Sequence, residues 1–181
     1  MKITAIRYYD GSLKKITRLG LSILFLEIQN IFLEMPVFLI EEKDGNGAAE
    51  IRKMADEAFE AKTDWTKIST GGIDWIKRFR YNRTLIASIG VEVQLSARSD
   101  LLVRDLVHIR NALQTGEIEV GVVIVPNDLL QKYLPDRTPS LKDAIRIFET
   151  EFHEAKDFPI ILMAVEHDGP GKAIPKQKRK S

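Results

Sequence analysis

The run of residues 120–125 is the strongest constraint on how this chain folds. It is made of Val120, Gly121, Val122, Val123, Ile124 and Val125 and contains no polar side chain. A β-branched strand of that kind must be covered on both faces. Residues 160–165, from Ile160 to Val165, make the same demand. Such strands sit in a sheet enclosed by helices, and helical patterns precede each of them. Asp100 serves as an N-cap for a helix over residues 101–113, and Gly116 falls just past its end. Ser140, Leu141, Lys142 and Asp143 open another helix with a capping-box-like pattern, reaching about His153. Upstream, residues 13–33 place apolar side chains at spacings near three and four. They predict one long helix that ends ahead of Met35 and Pro36. Residues 48–61 alternate Ala, Ile, Met and Phe with charge and predict a second, amphipathic helix. Two strand-like runs, residues 73–79 and 85–95, flank Arg80, Tyr81, Asn82, Arg83 and Thr84 and read as an antiparallel hairpin. The order is helices, hairpin, helix, strand, helix, strand, which predicts an α/β fold with a mixed sheet flanked by helices.

A length of 181 residues suits one domain, expected over residues 1–170. Residues 171–181 are expected to form a basic, disordered tail, since Lys172, Lys176, Lys178, Arg179 and Lys180 follow Asp168 with no further acidic residue. Without those five, 22 basic residues face 26 acidic ones, so the body is mildly acidic and the tail suits a phosphate backbone. The absence of cysteine excludes a disulfide framework, a thiol nucleophile and thiolate metal ligation. The apolar region over residues 21–40 is interrupted by Glu27, Gln29, Asn30, Glu34 and Pro36, a poor membrane span. The expectation is a cytoplasmic protein with no membrane partner.

Chemistry concentrates around Glu92. Glu92 and Gln94 lie two apart in a strand-like run and share one face, and Asp74 lies on the earlier segment, residues 73–77, that could pair with it as a neighbouring strand. Two carboxylates brought side by side repel unless a divalent cation lies between them. Oxygen donors suit Mg²⁺, with Asp74 and Glu92 as carboxylate ligands and the Val93 carbonyl as a third. An amide has no useful basicity near neutral pH, so Gln94 is assigned the orientation of an attacking water. That is the donor set of a metal-dependent phosphodiesterase.

Asp74, Trp75, Ile76, Lys77 and Arg78, followed by Val91, Glu92, Val93, Gln94, Leu95 and Ser96, resemble the PD-(D/E)XK nucleases. Within that fold they resemble the type II restriction endonucleases of the BglII and BstYI group, whose motif is Glu-x-Gln with a following Ser. The resemblance covers most of the chain up to about Glu166, with only the Glu-x-Gln neighbourhood specific. It implies a Mg²⁺-dependent, sequence-specific endonuclease acting on double-stranded DNA as a homodimer, at a six-base site with a possible GATC centre. Asp74 and Glu92 then match the metal ligands, and Gln94 the water-orienting residue. In one respect the sequence departs from the pattern. The interval from Asp74 to Glu92 is long, and the residue at the shorter spacing is Arg83, which cannot bind a cation. Either the hairpin is longer and Asp74 still reaches the metal, or the first carboxylate has been lost. Glu57 and Glu60 are further acidic residues that the sequence does not place.

Ser96 and Arg98, after the Glu92 strand, form one candidate DNA-contacting loop, with Arg98 suited to guanine or phosphate. Asn127, Lys132 and Arg137, after residues 120–125, form another. His108, His153 and His167 have no metal-ligand spacing and read as packing or capping residues. Two alternatives stand beside the restriction enzyme: a structure-specific or repair nuclease of the same fold, and a non-catalytic DNA-binding module.

Overall fold

A computed structural model describes residues 1–68, 72–96, 98, 100–151 and 158–176. The chain begins with strand β1 (Lys2–Tyr8), which the sequence reading does not anticipate. Helices α1 (Ser12–Arg18) and α2 (Ser22–Leu33) follow, then the short strand β2 (Phe38–Leu39) and helix α3 (Ala48–Glu60). Strand β3 (Trp65–Lys67), also unanticipated, leads to the hairpin of β4 (Trp75–Tyr81) and β5 (Thr84–Val93). Helix α4 (Asp100–Gln114) crosses to β6 (Val120–Pro126). Helices α5 (Asp128–Tyr133) and α6 (Leu141–Arg146), with a π-helical turn at Ile147–Glu151, return the chain to β7 (Ile160–Glu166) and the short β8 (Gly169–Pro170). The predicted end of the sixth helix near His153 lies outside the described residues.

Residues 13–33 form two helices rather than one, and they meet at an angle of 113°. The cause is Gly20, whose φ of +70° closes α1 in the left-handed conformation that glycine adopts without a Cβ penalty. Apolar periodicity runs unbroken through this point and therefore hides the corner.

The main sheet has the order β1-β7-β6-β5-β4-β3. Strands β5, β6 and β7 are parallel, and the outer pairings are antiparallel. This is the mixed sheet flanked by helices that the apolar runs predict. Every residue of β6 and β7 is buried, because helices cover both faces. On one face α2, α3 and α5 pack against Val91, Val93, Val122, Ile124, Ile161 and Met163. On the other, α4 and α6 pack against Val123, Val125, Leu162 and Ala164. The hairpin turn at Asn82 and Arg83 takes positive φ at both positions, 46° and 67°, as a tight two-residue connection requires. Arg83 thus sits at the hairpin tip, while Trp75 pairs with Val91 at the base. Residues 171–176 run back along the body, where the Gly171 amide donates to the Leu39 carbonyl at 2.7 Å and the Ile174 amide to Asn46 Oδ1 at 3.1 Å. The last five residues lie outside the described residues.

Helix α4 approaches β6 closely because Gly121 has no side chain: a Cβ there would lie 2.4 Å from Ile109 Cγ2. Leu102, Leu106 and Ile109 anchor α4 on the sheet, and each is fully buried. Such burial contributes about 1.5–3 kcal/mol per side chain. Gly121→Ala is expected to push α4 outward and lower unfolding stability by about 1–3 kcal/mol in urea titrations. An unchanged midpoint would show that Ile109 moves aside freely.

Candidate active site

The site forms where β5 ends. Asp74 precedes β4, and its Oδ2 accepts a hydrogen bond from the Val93 amide at 2.9 Å, tying the two strands together at their base. Asp74 is also hydrogen-bonded to Glu92 through their carboxyl groups. The hairpin register thus sets Asp74 beside Glu92 at the base and Arg83 at the far end. Glu92 lies on the α4 face of the sheet, opposite Val123 in the parallel register, and is 2% exposed.

Two helices add groups that sequence spacing does not reveal. In α4, the face next to Leu102, Leu106 and Ile109 carries Asp105 and His108, three apart and hence neighbours on the helix surface. His108 Nδ1 is 3.3 Å from Glu92 Oε1. One ligand atom each from Glu92, Asp105 and His108 lie within 4.8 Å of one another. Helix α3 buries Ile51, Ala55 and Phe59, with Phe59 stacked on Trp75 at 5.3 Å. That packing directs the adjacent Arg52 and Asp56 to the base of the hairpin. Arg52 Nη2 lies 2.8 Å from Asp74 Oδ1, and Arg52 Nη1 donates to the Val93 carbonyl. Glu57 and Glu60, the acidic residues of α3 singled out in the sequence, pair instead with Lys53 and Lys67.

Electrostatics separates the carboxyls. Two unit charges about 4 Å apart repel by about 4 kcal/mol at an effective dielectric of about 20, enough to keep one group protonated. Burial pushes Glu92 up to about 11, reinforced by the Asp74 charge and hydrogen bond and by Asp105, with Arg52 opposing. Burial also works against ionisation of Asp74. Yet its hydrogen bond to Glu92, the Arg52 guanidinium and the Val93 amide hold it below the usual carboxylate range. Asp105 is raised to about 6, by burial first and then by Asp74, against the pull of Arg104. Burial and Arg104 lower His108, so its imidazole is neutral near neutral pH and able to ligate a metal. Buried carboxyls short of positive charge, beside a neutral imidazole and a main-chain carbonyl, fit a divalent cation.

The remaining candidates hold varied places. Gln94 is 2% exposed, and its Nε2 donates to Ser96 Oγ at 3.1 Å and to the Arg98 carbonyl at 2.9 Å. It thereby shapes the loop after β5. Arg98 is exposed and pairs with Asp100 at 2.7 Å. Asn127 caps α5, its Oδ1 accepting from the Asp128 amide at 2.6 Å, and Lys132 is exposed on that helix. Both loops leave the carboxyl ends of parallel strands, on one edge of the sheet, where open α/β sheets bind ligands. A cavity of about 530 Å³ lies elsewhere, lined by Leu24, Asp64, Thr66, Lys77, Arg78, Phe79 and Arg80. It holds none of the clustered carboxyls, and Lys77 there is bound to Glu27 at 2.7 Å.

The family model for restriction endonuclease BglII/BglIII matches residues 21–165. The chain belongs to this family. No curated protein matches it closely enough to stand as a relative. Family membership makes the protein a type II site-specific deoxyribonuclease, a metal-dependent hydrolase of a restriction system that binds double-stranded DNA. The matched span runs from α2 to all but the last residue of β7 and includes Arg52, Asp74, Glu92, Asp105 and His108.

A carboxyl whose folded pKa is raised holds its proton more tightly in the folded state than in the unfolded chain. The contribution of Glu92 to metal-free stability is therefore fullest below the ordinary value of 4.5 and declines as pH rises from there towards about 11. Glu92→Gln mimics the protonated group, so it is expected to raise the metal-free Tm at about pH 8 and to flatten this decline. Thermal melts in EDTA between about pH 5 and about pH 9 test this. A variant that melts below the parent at the alkaline end would contradict it.

Proposed function

We propose that this enzyme hydrolyses duplex DNA with Mg²⁺ at the end of β5, with Asp74, Glu92 and the Val93 carbonyl as ligands. The observation that carries the reading is the meeting of Asp74 and Glu92, from the two strands at the base of the hairpin, in a buried site short of positive charge. Asp105 and His108 border the same space and extend the donor set. When bound, Mg²⁺ neutralises the carboxylates, polarises the scissile phosphate and acidifies an attacking water. The Val93 amide fixes Asp74 in place, and Glu92 would hold the ion as a carboxylate, its proton passing to solvent. Gln94 holds the Ser96–Arg98 loop through Nε2, leaving its carboxamide oxygen to accept a hydrogen bond from the attacking water. Hydrolysis is direct, by the activated water on the scissile phosphate, and forms no covalent enzyme intermediate.

DNA lies across the sheet edge formed by the carboxyl ends of β5 and β6. Ser96 and Arg98 meet it from one loop, Asn127 and Lys132 from the other. Arg98 has a paired carboxylate to leave, but the pair is exposed and screened by water, so phosphate or guanine displaces it readily. Recognition of a palindrome follows from two-fold pairing of protomers, and the family resemblance, not the symmetry, suggests GATC as its centre. The homodimer reading draws on α1 and α2, where Leu13, Ile23, Leu26 and Leu33 are 49–67% exposed. Ile23, Leu26 and Leu33 recur at spacings that share one face of α2, and apolar side chains grouped in that way mark an association site. Among the described residues, no single helix is long and apolar enough to cross a membrane. A cytoplasmic site of action goes with this proposal.

Incubation of the protein with long duplex DNA of known sequence, in Mg²⁺ and in EDTA, tests the reading. Discrete Mg²⁺-dependent fragments are expected. A smear would point to a repair-type nuclease, and intact DNA with a salt-sensitive gel shift to a binding module. Glu92→Ala and Asp74→Asn are each expected to reduce cleavage by about 100-fold or more while retaining DNA binding, measured by single-turnover cleavage and gel shift. Cleavage by Asp74→Asn at the parent rate would remove Asp74 from the ligand set. Leu26→Glu is expected to convert a dimer into monomers in sedimentation equilibrium; a parent that is itself monomeric would refute the dimer.

A further inference from the structure

The Val93 carbonyl and Asp74 Oδ1, two of the oxygens assigned to the metal, are both held by one guanidinium. Arg52 Nη2 lies 2.8 Å from Asp74 Oδ1, and Nη1 donates to the Val93 carbonyl. We propose that Arg52 is a built-in counter-cation, which bridges Asp74 and Val93 in the metal-free enzyme and which the divalent ion must displace in order to bind. The inference rests on the metal reading above and adds a residue from outside the Glu-x-Gln motif to it.

Three observations support displacement. First, the acceptors Arg52 bridges are a carboxylate and a main-chain carbonyl, the oxygen types a hard cation takes. They come from the ends of two adjacent strands, so a single cation closes the base of the hairpin. A guanidinium and a metal ion at hydrogen-bonding and coordination distances from the same two oxygens would overlap. Second, Arg52 has somewhere to go. Its Nε already lies 3.3 Å from Asp56 Oδ1, one helical turn further along α3. Asp56 is itself held, by the Trp75 indole at 3.1 Å and by Lys67 at 3.2 Å. The guanidinium can therefore retract onto Asp56 without leaving its charge unpaired. Third, Arg52 acts on the other half of the site through its charge and not through a hydrogen bond or ion pair among the described residues. Glu92, Asp105 and His108 gather on the α4 side, and the contacts of Arg52 run to Asp74, Val93 and Asp56. An incoming ion thus meets donors on one side and a removable cation on the other.

A residue that competes with metal and one that merely orients the ligands have opposite consequences when removed. Calorimetric titration of Ca²⁺ into the full chain without DNA separates them. Arg52→Gln is expected to bind Ca²⁺ about tenfold or more tightly than the parent, because the competing charge is gone. The added substitution Asp74→Asn should abolish that gain. Arg52→Lys keeps the charge but cannot bridge both oxygens, so it should tighten binding by a smaller factor. It also serves as the test if Arg52→Gln fails to fold, as judged by circular dichroism. Binding in the variants equal to or weaker than in the parent overturns the counter-cation while leaving the metal site intact. Absence of Ca²⁺ binding from all the proteins overturns the metal reading together with it.

Discussion

Parallel pairing of β5 with β6, in the register that sets Val93 beside Ile124, obliges the chain to cross one face of the sheet between them. Helix α4 makes that crossing, and it is what carries Asp105 and His108 over Glu92. The same pairing brings the carboxyl ends of β5 and β6 to one edge, with the Ser96–Arg98 loop and the Asn127 cap of α5 leaving side by side. The Gln94 amide continues the ladder by donating to the Ile124 carbonyl at 2.8 Å. Remove this register and the charged groups lose both their enclosure and their neighbours.

Enclosure then governs the chemistry. A carboxyl that is 2% exposed does not stay ionised unaided, and Glu92 responds by keeping its proton. Asp74 stays ionised because it receives the Val93 amide and the Arg52 guanidinium as well as the Glu92 hydrogen bond. The metal-free site therefore combines one neutral carboxyl, one paired carboxylate and an internal cation.

The sequence-level expectations fared according to the range of the interactions behind them. Central strands declared themselves through β-branched runs, since a strand covered on both faces tolerates no polar side chain. The capping box of α6 was equally plain: Ser140 Oγ accepts from the Asp143 amide at 3.2 Å, and Asp143 accepts from the Ser140 amide at 2.9 Å. Edge strand β1 escaped notice, as its exposed alternation carries a weak signal. The break at Gly20 was masked because the apolar period continues through it. Of the three histidines, His108 was read as a packing residue, for its partner Glu92 is sixteen positions away and on a different element.

Local order in the chain determined the strands, most helices and the Glu92–Gln94 pair, because periodicity and capping act over a few residues. Those same few residues, with Asp74 at the foot of the hairpin, were enough to indicate the family. Only the folded chain could decide that Arg52 from α3 and Asp105 and His108 from α4 converge on the end of β5. Their approach depends on Phe59 stacking against Trp75 and on Ile109 settling over Gly121. Contacts of that kind join segments far apart in sequence, and no spacing rule within a segment encodes them.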